Sequence, residues 1–319
     1  MFEHALLEAP RLDHGYCADD VARALIAVLR EPRPAPEVKL LEATCLCFLG
    51  RAQRTDGRFH NRLSPPPERR WLDDVGSDDS NGRALWALGV ASTRGTNDRR
   101  RRCALTRFEV GSGLRSPYPR TNAYAVLGAV EVLSARPRHA IARSLLEIAA
   151  SRLGDTSADP EWPWPEARLT YDNARLAEAR IAAGVALGDR ELLDEGLRLL
   201  GWLVDVETHG DHFSFTPVGG RGPGDPRPAF DQQPIEAGSM ADACTRAFDA
   251  TGDERWATTA LRATAWFLGA NDVGISLLDA ATGGCRDGLE VGGCNGNQGA
   301  ESTVAMIGAL QQARRLQAA

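Results

Sequence analysis

The sequence predicts an all-α fold, a closed ring of helical hairpins. Apolar residues recur at helical spacing in about eleven segments, and almost no alternating strand pattern competes with them. A dense polar and aromatic motif precedes roughly every second helix. In a ring of hairpins alternate helices point the same way, so these motifs would share one rim. That rim would be the active site.

The helices are predicted from apolar periodicity and from residues typical of helix ends. Asp20 and Asn122 stand near helix starts, and Gly188 and Gly252 follow helices in two short turns, GDRELL and GDERWA, where an Asp can cap the next helix. The predicted segments are 18–30, 37–53, 80–92, 98–111, 121–135, 138–153, 172–187, 189–205, 234–251, 253–268 and 299–316.

Longer connections separate the hairpins, and loops of this size are usually functional. They cover 54–78, 154–170, 206–233 and 269–298, with small β-hairpins predicted in GRFHNRL, DHFSFTPV and GISLLDA.

The motifs recur about every 40 to 65 residues, the scale of a helical-hairpin repeat. Six hairpins need twelve helices, so the first helix would be the short segment 1–8 or would be absent. The six motifs are HGYCADDVARAL (14–25), WLDDVGSDDSNGRALW (71–86), GLRSPYPRTNAYA (113–125), WPWPEARLTYDNARLAE (162–178), FDQQPIEAGSMADA (230–243) and NGNQGAESTVAMIGAL (295–310).

Composition excludes several function classes. A net charge of −6 and a pI of about 5.6 provide no field that attracts nucleic acid or an anionic membrane. Seven cysteines without a signal peptide predict reduced thiols. No apolar run reaches the length of a membrane span. We therefore expect a soluble, cytoplasmic protein of one domain, residues 1–319.

The motifs supply the carboxylates that glycoside hydrolysis requires, one acting as general acid and the other as base or nucleophile. Asp20 could equally cap the first long helix. Glu236 follows Pro234 in a first helical turn, where we expect it to point toward the rim. The catalytic candidates are Asp20, Asp79, Glu166, Asp231, Glu236 and Glu301.

The four carboxylates between 73 and 79 crowd together and need a cationic partner such as Arg69, Arg70 or Arg83. Their spacing lacks the distal Glu of a calcium loop, so we predict no metal site there. Nothing in the sequence requires a cofactor.

Exposed aromatic rings beside amides and acids are typical of sugar-binding clefts, because the rings stack on the C–H faces of a pyranose. The tryptophans could instead fill the interior of the ring. The substrate-binding candidates are His14, Tyr16, Asp19, His60, Trp71, Trp162, Trp164, Tyr171, Asn173, Gln232, Gln233, Asn297 and Gln298.

The loop GGRGPGDPR (219–227) is rich in glycine and carries Arg221 and Arg227. It could bind phosphate through backbone N–H groups and guanidinium groups, or serve as a mobile lid.

At these motifs the chain resembles a bacterial family of six-hairpin-glycosidase-like proteins, found beside or fused to family-4-type glycosyltransferases. The resemblance rests on HGYCADDVARAL, DGRFHNRL, GSDDSNGRALWALG, WPWPE with LTYDNARL, FDQQPIEA and NQGAES. It implies an (α/α)6 toroid that acts on or binds carbohydrate. Members often read DDNARAL where this chain has Asp20-Val21, and they usually carry a further helix before the residues aligned with MFEHA.

The leading expectation is a glycoside hydrolase that acts on an oligosaccharide or glycan, with Glu236 or Asp231 paired with Asp20 or Glu301. The alternatives are a phosphorylase that uses Arg221 or Arg227, an epimerase that uses His14, His60 or His212, and a non-catalytic glycan-binding partner of a glycosyltransferase. The chain shows no G-x-G-x-x-G after a strand, so it is not expected to be a glycosyltransferase itself.

Overall fold

The computed structural model describes residue 1 and residues 4–318. Within that part the chain forms eleven α-helices and four antiparallel pairs of two-residue strands. The helices are α1 (Ala18–Arg30), α2 (Pro36–Ala52), α3 (Asp78–Arg94), α4 (Asp98–Gly111), α5 (Pro119–Ala135), α6 (Ala140–Ala150), α7 (Ala174–Leu187), α8 (Arg190–Glu207), α9 (Pro234–Thr251), α10 (Glu254–Trp266) and α11 (Ala300–Gln317). The strand pairs are β1 (Ala5–Leu6) with β2 (Ala9–Pro10), β3 (Tyr16–Cys17) with β4 (Arg62–Leu63), β5 (Thr208–His209) with β6 (His212–Phe213), and β7 (Leu289–Glu290) with β8 (Gly293–Cys294).

All eleven predicted helical segments are present, several with the predicted bounds. The short turn between α9 and α10 is built as expected: Gly252 ends α9 with a φ of 69°, and the Asp253 carboxylate accepts a hydrogen bond from the backbone N of Arg255. Asp20 and Asn122, by contrast, lie inside the first turns of their helices. The residues that precede those helices are Cys17 and Tyr118, neither of which caps with its side chain.

The N-terminal segment differs from the helix considered for 1–8. In its described part the backbone forms the β1–β2 hairpin, and the backbone N of Leu7 donates to the Asn297 side chain at 2.9 Å. Of the predicted β-hairpins, the residues around 208–213 form one. The segment GRFHNRL instead pairs with Tyr16–Cys17, and GISLLDA contributes a single bridge between Leu278 and Cys285.

The chain divides into two compact units, and the prediction of a single domain over 1–319 stays a prediction. The first contains Met1, Arg11–Leu153 and Ala182–Asp189; the second contains His4–Pro10, Gly154–Ile181 and the chain from Arg190 onward.

In the first unit the motif-bearing helices α1, α3 and α5 pack against one another in that order, and α2, α4 and α6 each pack on one of them. A Cβ on Gly89 of α3 would lie 2.3 Å from the carbonyl O of Gly128 on α5. The two helices therefore approach more closely than any larger residue at this position allows.

In the second unit α9 packs against α8, α10 and α11. The contact between α9 and α11 is again close, because Gly238 faces Ala305. Alternate, motif-bearing helices are thus neighbours in each unit, as the spacing of the motifs predicts.

All seven cysteines have free thiols. Among the described residues, no helix combines the length and the apolar character that a bilayer span requires.

Candidate functional site

In the first unit an arginine joins the first three motifs. Arg83 of α3 donates through Nη1 to both Asp19 oxygens of α1 at 3.0 and 2.8 Å, and through Nη2 to the Tyr124 hydroxyl of α5 at 2.6 Å. Its guanidinium also lies 4.4 Å from the centroid of the Tyr124 ring. Burial alone would raise the pKa of Asp19, but the charges of Arg23 and Arg83 outweigh it and hold that pKa below its usual value.

Asp20 and Asp79, two of the catalytic candidates, are already engaged in hydrogen bonds. Asp20 is only 1% exposed and accepts a hydrogen bond from Arg23 Nη1 at 2.8 Å. Asp79 accepts from the Thr121 hydroxyl at 2.5 Å. Both side chains therefore help to hold the ends of the motif-bearing helices.

The aromatic candidates of the first unit form a cluster beside β3 and β4. Trp71 stacks on His60 with ring centroids 5.0 Å apart and meets Phe48 edge to face, and the Tyr16 ring lies 6.4 Å from that of Phe48. His14 lies next to Asp13, with Nε2 3.5 Å from its carboxylate. The stacked face of Trp71 is covered by His60, so stacking on a sugar would require its other face.

The four carboxylates between 73 and 79 are separated from one another by different partners. The Asp73 oxygens accept from the backbone N atoms of Asn61 and Arg62 at 2.6 and 2.8 Å, Asp74 pairs with Arg54, and Asp78 accepts from the Ser116 hydroxyl. Arg83, one of the expected cationic partners, binds Asp19 instead.

A cleft of about 310 Å³ lies beside these loops in the first unit. It is lined by Asp56, Gly57, Arg58, Phe59, Val75, Asp78, Asn81, Leu85, Gly111, Gly113, Leu114 and Arg115. None of the catalytic or substrate-binding candidates lines it, although Asp78, one of the four carboxylates between 73 and 79, does. Its walls come from the second and third motifs and from DGRFHNRL.

In the second unit Glu236 of α9 is buried rather than open to solvent. Its Oε1 accepts a hydrogen bond from the backbone N of Asp172, and its Oε2 accepts from the backbone N and the Nδ2 of Asn173 at 3.1 and 3.0 Å. Burial, together with the charges of Glu207 and Asp172, raises the pKa of Glu236 to about 8. Glu236 thus fixes the turn before α7, whose residue Asp172 has a φ of +47°.

A second arginine joins the motifs of this unit. Arg175 binds Asp172, Glu178 and Asp242, with the Asp242 oxygen 3.1 Å from Nη1, and Asp242 also accepts from Gln312 of α11 at 2.7 Å. The fourth and fifth motifs are therefore linked through buried ion pairs, and the hydrogen bond from Gln312 extends this link to α11.

Asp231 is a catalytic candidate with one unsatisfied carboxylate oxygen. Its Oδ1 is buried and accepts no hydrogen bond from the described residues. Burial, then the nearby charges of Glu290 and Asp287, raises the pKa of Asp231. A Cβ on Gly288 would lie 2.2 Å from Oδ1, so a larger residue there would displace this carboxylate. A carboxyl group of this kind can hold a proton and deliver it.

Gln232, the next residue, is fully buried and satisfied. Its Oε1 accepts from the backbone N of Phe215 and from Trp266 Nε1, and its Nε2 donates to Asp272 Oδ2 at 2.6 Å. Gln233 lies at the N-terminal boundary of α9 without capping it through its side chain.

Asp272 in turn contacts two histidines of the β5–β6 hairpin. Its Oδ1 lies 2.8 Å from His209 Nδ1 and 3.0 Å from His212 Nε2. Sequence analysis named only His212 of these three residues. The spacing of HGDH across a two-residue turn is the signal that could have identified His209, whereas Asp272 is 60 residues away from His212 in the chain and has no local signal.

The aromatic pair of the fourth motif packs inward. Trp164 is 1% exposed and stacks on Trp202, while Trp162 meets Trp202 edge to face. Glu166 accepts from Trp164 Nε1 at 3.3 Å. Tyr171 is 39% exposed, so of these aromatic rings it offers the most surface.

The remaining candidates lie in the loop 219–227 and before α11. Arg221 is buried and donates to the carbonyls of Val206, Ser214 and Phe215, and Arg227 donates to those of Val206 and Thr208. Gln298 binds the Thr282 hydroxyl and Asp279. Glu301 stands in the first turn of α11 and is partly buried.

No family model and no curated protein matches the sequence. Solved structures do match. The cellobiose 2-epimerase of Bacillus thermoamylovorans aligns with a TM-score of 0.75 at 10% identity, over 100% of this chain and 92% of that one. A D-mannose isomerase aligns with a TM-score of 0.69 at 15% identity, over 100% and 91% of the two chains. A GH76 α-mannanase of Bacteroides thetaiotaomicron aligns with a TM-score of 0.63 at 11% identity, over 96% and 88%.

These likenesses confirm the predicted fold class. The chain has the all-α fold of (α/α)6 toroid enzymes, with eleven helices in the described part and only small strand pairs. This is the fold that the resemblance to six-hairpin-glycosidase-like proteins implies. At identities this low, the likeness establishes the fold alone.

Proposed function

We propose that the protein is a carbohydrate-active enzyme, a glycoside hydrolase in which Asp231 is the general acid. The observation that carries this proposal is the half-buried Asp231 carboxyl with an unsatisfied oxygen and a raised pKa. Glycosidic cleavage needs a proton on the leaving oxygen, and a carboxyl group whose pKa is raised by burial and by like charges supplies it. The named activities of the neighbours, which include a mannanase and cellulases, agree with a sugar substrate.

Glu301 is the partner carboxylate that we favour. Glu301 lies two residues after Gly299, whose backbone N donates to Asp287 at 2.6 Å. Asp287 is in turn one of the two carboxylates that raise the pKa of Asp231, so the start of α11 is connected to Asp231 through Asp287. Glu236 is less suited to this role because three N–H groups already occupy its oxygens.

The test is turnover of linked oligosaccharides by the wild type and by Asp231→Asn. Loss of a general acid is expected to lower kcat by about 100-fold to 10,000-fold while the protein stays folded. Glu290→Gln is the matched variant: because it removes a neighbouring negative charge, the pKa of Asp231 should fall and the basic limb of the pH profile should move to lower pH. An Asp231→Asn enzyme that cleaves at the wild-type rate would refute the assignment.

A sugar epimerase is the second candidate, favoured by His212. This imidazole lies between Asp272 and Asp211, and its hydrogen bonds to these carboxylates raise its pKa against the opposing effect of desolvation. Several of the similar solved structures are epimerases or an isomerase by name. Interconversion of free sugars, lost in His212→Ala and retained in Asp231→Asn, would favour this function.

The phosphorylase alternative has less support because Arg221 and Arg227 donate to backbone carbonyls. Cleavage that requires phosphate would favour the phosphorylase over the hydrolase. Association with a glycosyltransferase and a cytoplasmic location remain proposals that rest on the sequence alone.

A further inference from the structure

Two imidazoles and one carboxylate converge on a single point beside Gln232. His209 Nδ1, His212 Nε2 and Asp272 Oδ1 all lie within 4.8 Å of one another. We propose that these three atoms bind one divalent first-row transition-metal ion, such as Zn²⁺ or Co²⁺. Two histidines and one carboxylate form a ligand set typical of such ions.

The hairpin places the two histidines side by side. His209 and His212 are paired residues of the antiparallel strands β5 and β6, joined by a turn in which Gly210 has a φ of 63°. Paired residues of antiparallel strands project from the same face. Their ring centroids are 5.6 Å apart. Two imidazoles that share one ion at bond lengths of about 2.0–2.1 Å have centroids roughly 5–6 Å apart.

Metal ligands are oriented by hydrogen bonds from residues that do not bind the ion themselves, and both Asp272 and His212 have such a partner. Asp272 Oδ2, the oxygen that faces away from the histidines, accepts from Gln232 Nε2 at 2.6 Å. His212 Nδ1, the nitrogen that faces away from Asp272, lies 3.1 Å from Asp211 Oδ1. A carboxylate on the second nitrogen of a ligand histidine fixes the tautomer that leaves the first nitrogen free for the metal.

The Asp272 carboxylate is 1% exposed, and a buried carboxylate needs a cation. Arg221 is the nearby guanidinium, but it donates to the carbonyls of Val206, Ser214 and Phe215. The partners of Asp272 are instead the two histidines, Gln232 and Ser214. None of these is a permanent cation, so a bound metal ion would neutralise the carboxylate directly.

The site would keep open coordination positions. The His209 and His212 side chains are 48% and 22% exposed, so solvent reaches the side opposite Asp272. Three protein ligands with an open face are typical of ions that also bind water or a substrate. Coordination through Nε2 would remove that atom of His212 from proton transfer. Stoichiometric metal binding therefore counts against the epimerase candidate and is independent of the hydrolase proposal.

The experiment is a titration of the chelator-treated, tag-free protein with Co²⁺, followed by visible absorption, and with Zn²⁺, followed by calorimetry. We expect one ion per chain and visible bands of a low-coordinate Co²⁺ site. His209→Ala and His212→Ala should each weaken binding at least about 100-fold, and Asp211→Asn about 10-fold. These side chains are partly exposed, so the variants should fold.

His139→Ala is the matched control. His139 Nε2 lies 3.0 Å from Glu109 Oε1, but this pair belongs to no group of three possible ligands among the described residues. Binding by this variant should equal that of the wild type. Failure of the wild type to bind Co²⁺ or Zn²⁺ stoichiometrically would overturn the proposal, and so would equal binding by His209→Ala, His212→Ala and His139→Ala.

Discussion

Glu236→Gln tests the buried carboxyl group that joins α9 to the turn before α7. In the wild type, Glu236 receives hydrogen bonds from three N–H groups of Asp172 and Asn173. A glutamine side chain keeps one oxygen and replaces the other with a donor. At least one buried N–H group then loses its acceptor, which costs about 1–3 kcal/mol of stability.

The sign of the pH effect follows from the direction of the pKa change. The pKa of Glu236 is raised from 4.5 to about 8 in the folded protein, first by burial and then by the charges of Glu207 and Asp172. Between these values the folded protein holds a proton that the unfolded chain has lost, so the free energy of unfolding falls as pH rises. At about 1.4 kcal/mol per pH unit, the interval from 4.5 to about 8 corresponds to about 5 kcal/mol.

The assay is urea unfolding followed by circular dichroism at pH 5, 6, 7 and 8. Glu236→Gln should be less stable than the wild type at pH 5, and the difference should shrink or reverse by pH 8. The variant keeps a smaller slope from Glu207, whose pKa burial also raises. Glu254→Gln, an exposed change in α10, is the control and should follow the wild type. Parallel pH curves for the wild type and Glu236→Gln would refute the reasoning.

Two further predictions concern the arginine that joins three helices and the glycine beside Asp231. Arg83→Met should destabilise the protein by about 3–5 kcal/mol, because it breaks a buried ion pair. Arg190→Met, which breaks an exposed ion pair, should cost less than about 1 kcal/mol. Equal urea midpoints for the two variants would contradict this prediction. Gly288→Ala should lower glycoside turnover at least about 10-fold, since its Cβ would collide with the Asp231 carboxylate. Gly293→Ala is the control, because a Cβ there meets open space, and it should leave turnover unchanged. Unchanged turnover in Gly288→Ala would show that the position of Asp231 does not matter.

The helices could be predicted because their signals are local. Apolar spacing predicts the first and last residues of α1, α4 and α9 correctly, and the glycine and aspartate of the turn at 252–253 act as expected. The N-terminal hairpin could not be predicted, because its position depends on a hydrogen bond to Asn297, 290 residues away.

The partners of the motif residues could not be predicted from the sequence either, because they too are distant in the chain. The pattern of charges predicts that Arg83 pairs with the carboxylates at 73–79. In the folded protein Arg83 instead binds Asp19, 64 residues away. The position of Glu236 in a first turn predicts only that its side chain points toward the rim. It does not predict the hydrogen bonds to the turn at Asp172 and Asn173, 64 and 63 residues away, which covers this side chain. Sequence analysis could place such residues in motifs, but their pairing is decided by the packing of helices.

The measurement that tests the central claim most directly is a product assay on the wild-type protein. A panel of α- and β-linked oligosaccharides is incubated with and without phosphate, and products are followed by mass spectrometry and anomeric NMR. We predict cleavage by water, independent of phosphate, with a single product anomer. Epimerised sugars without cleavage would contradict the hydrolase and favour the epimerase, and saturable binding without any product would contradict both and favour a glycan-binding protein.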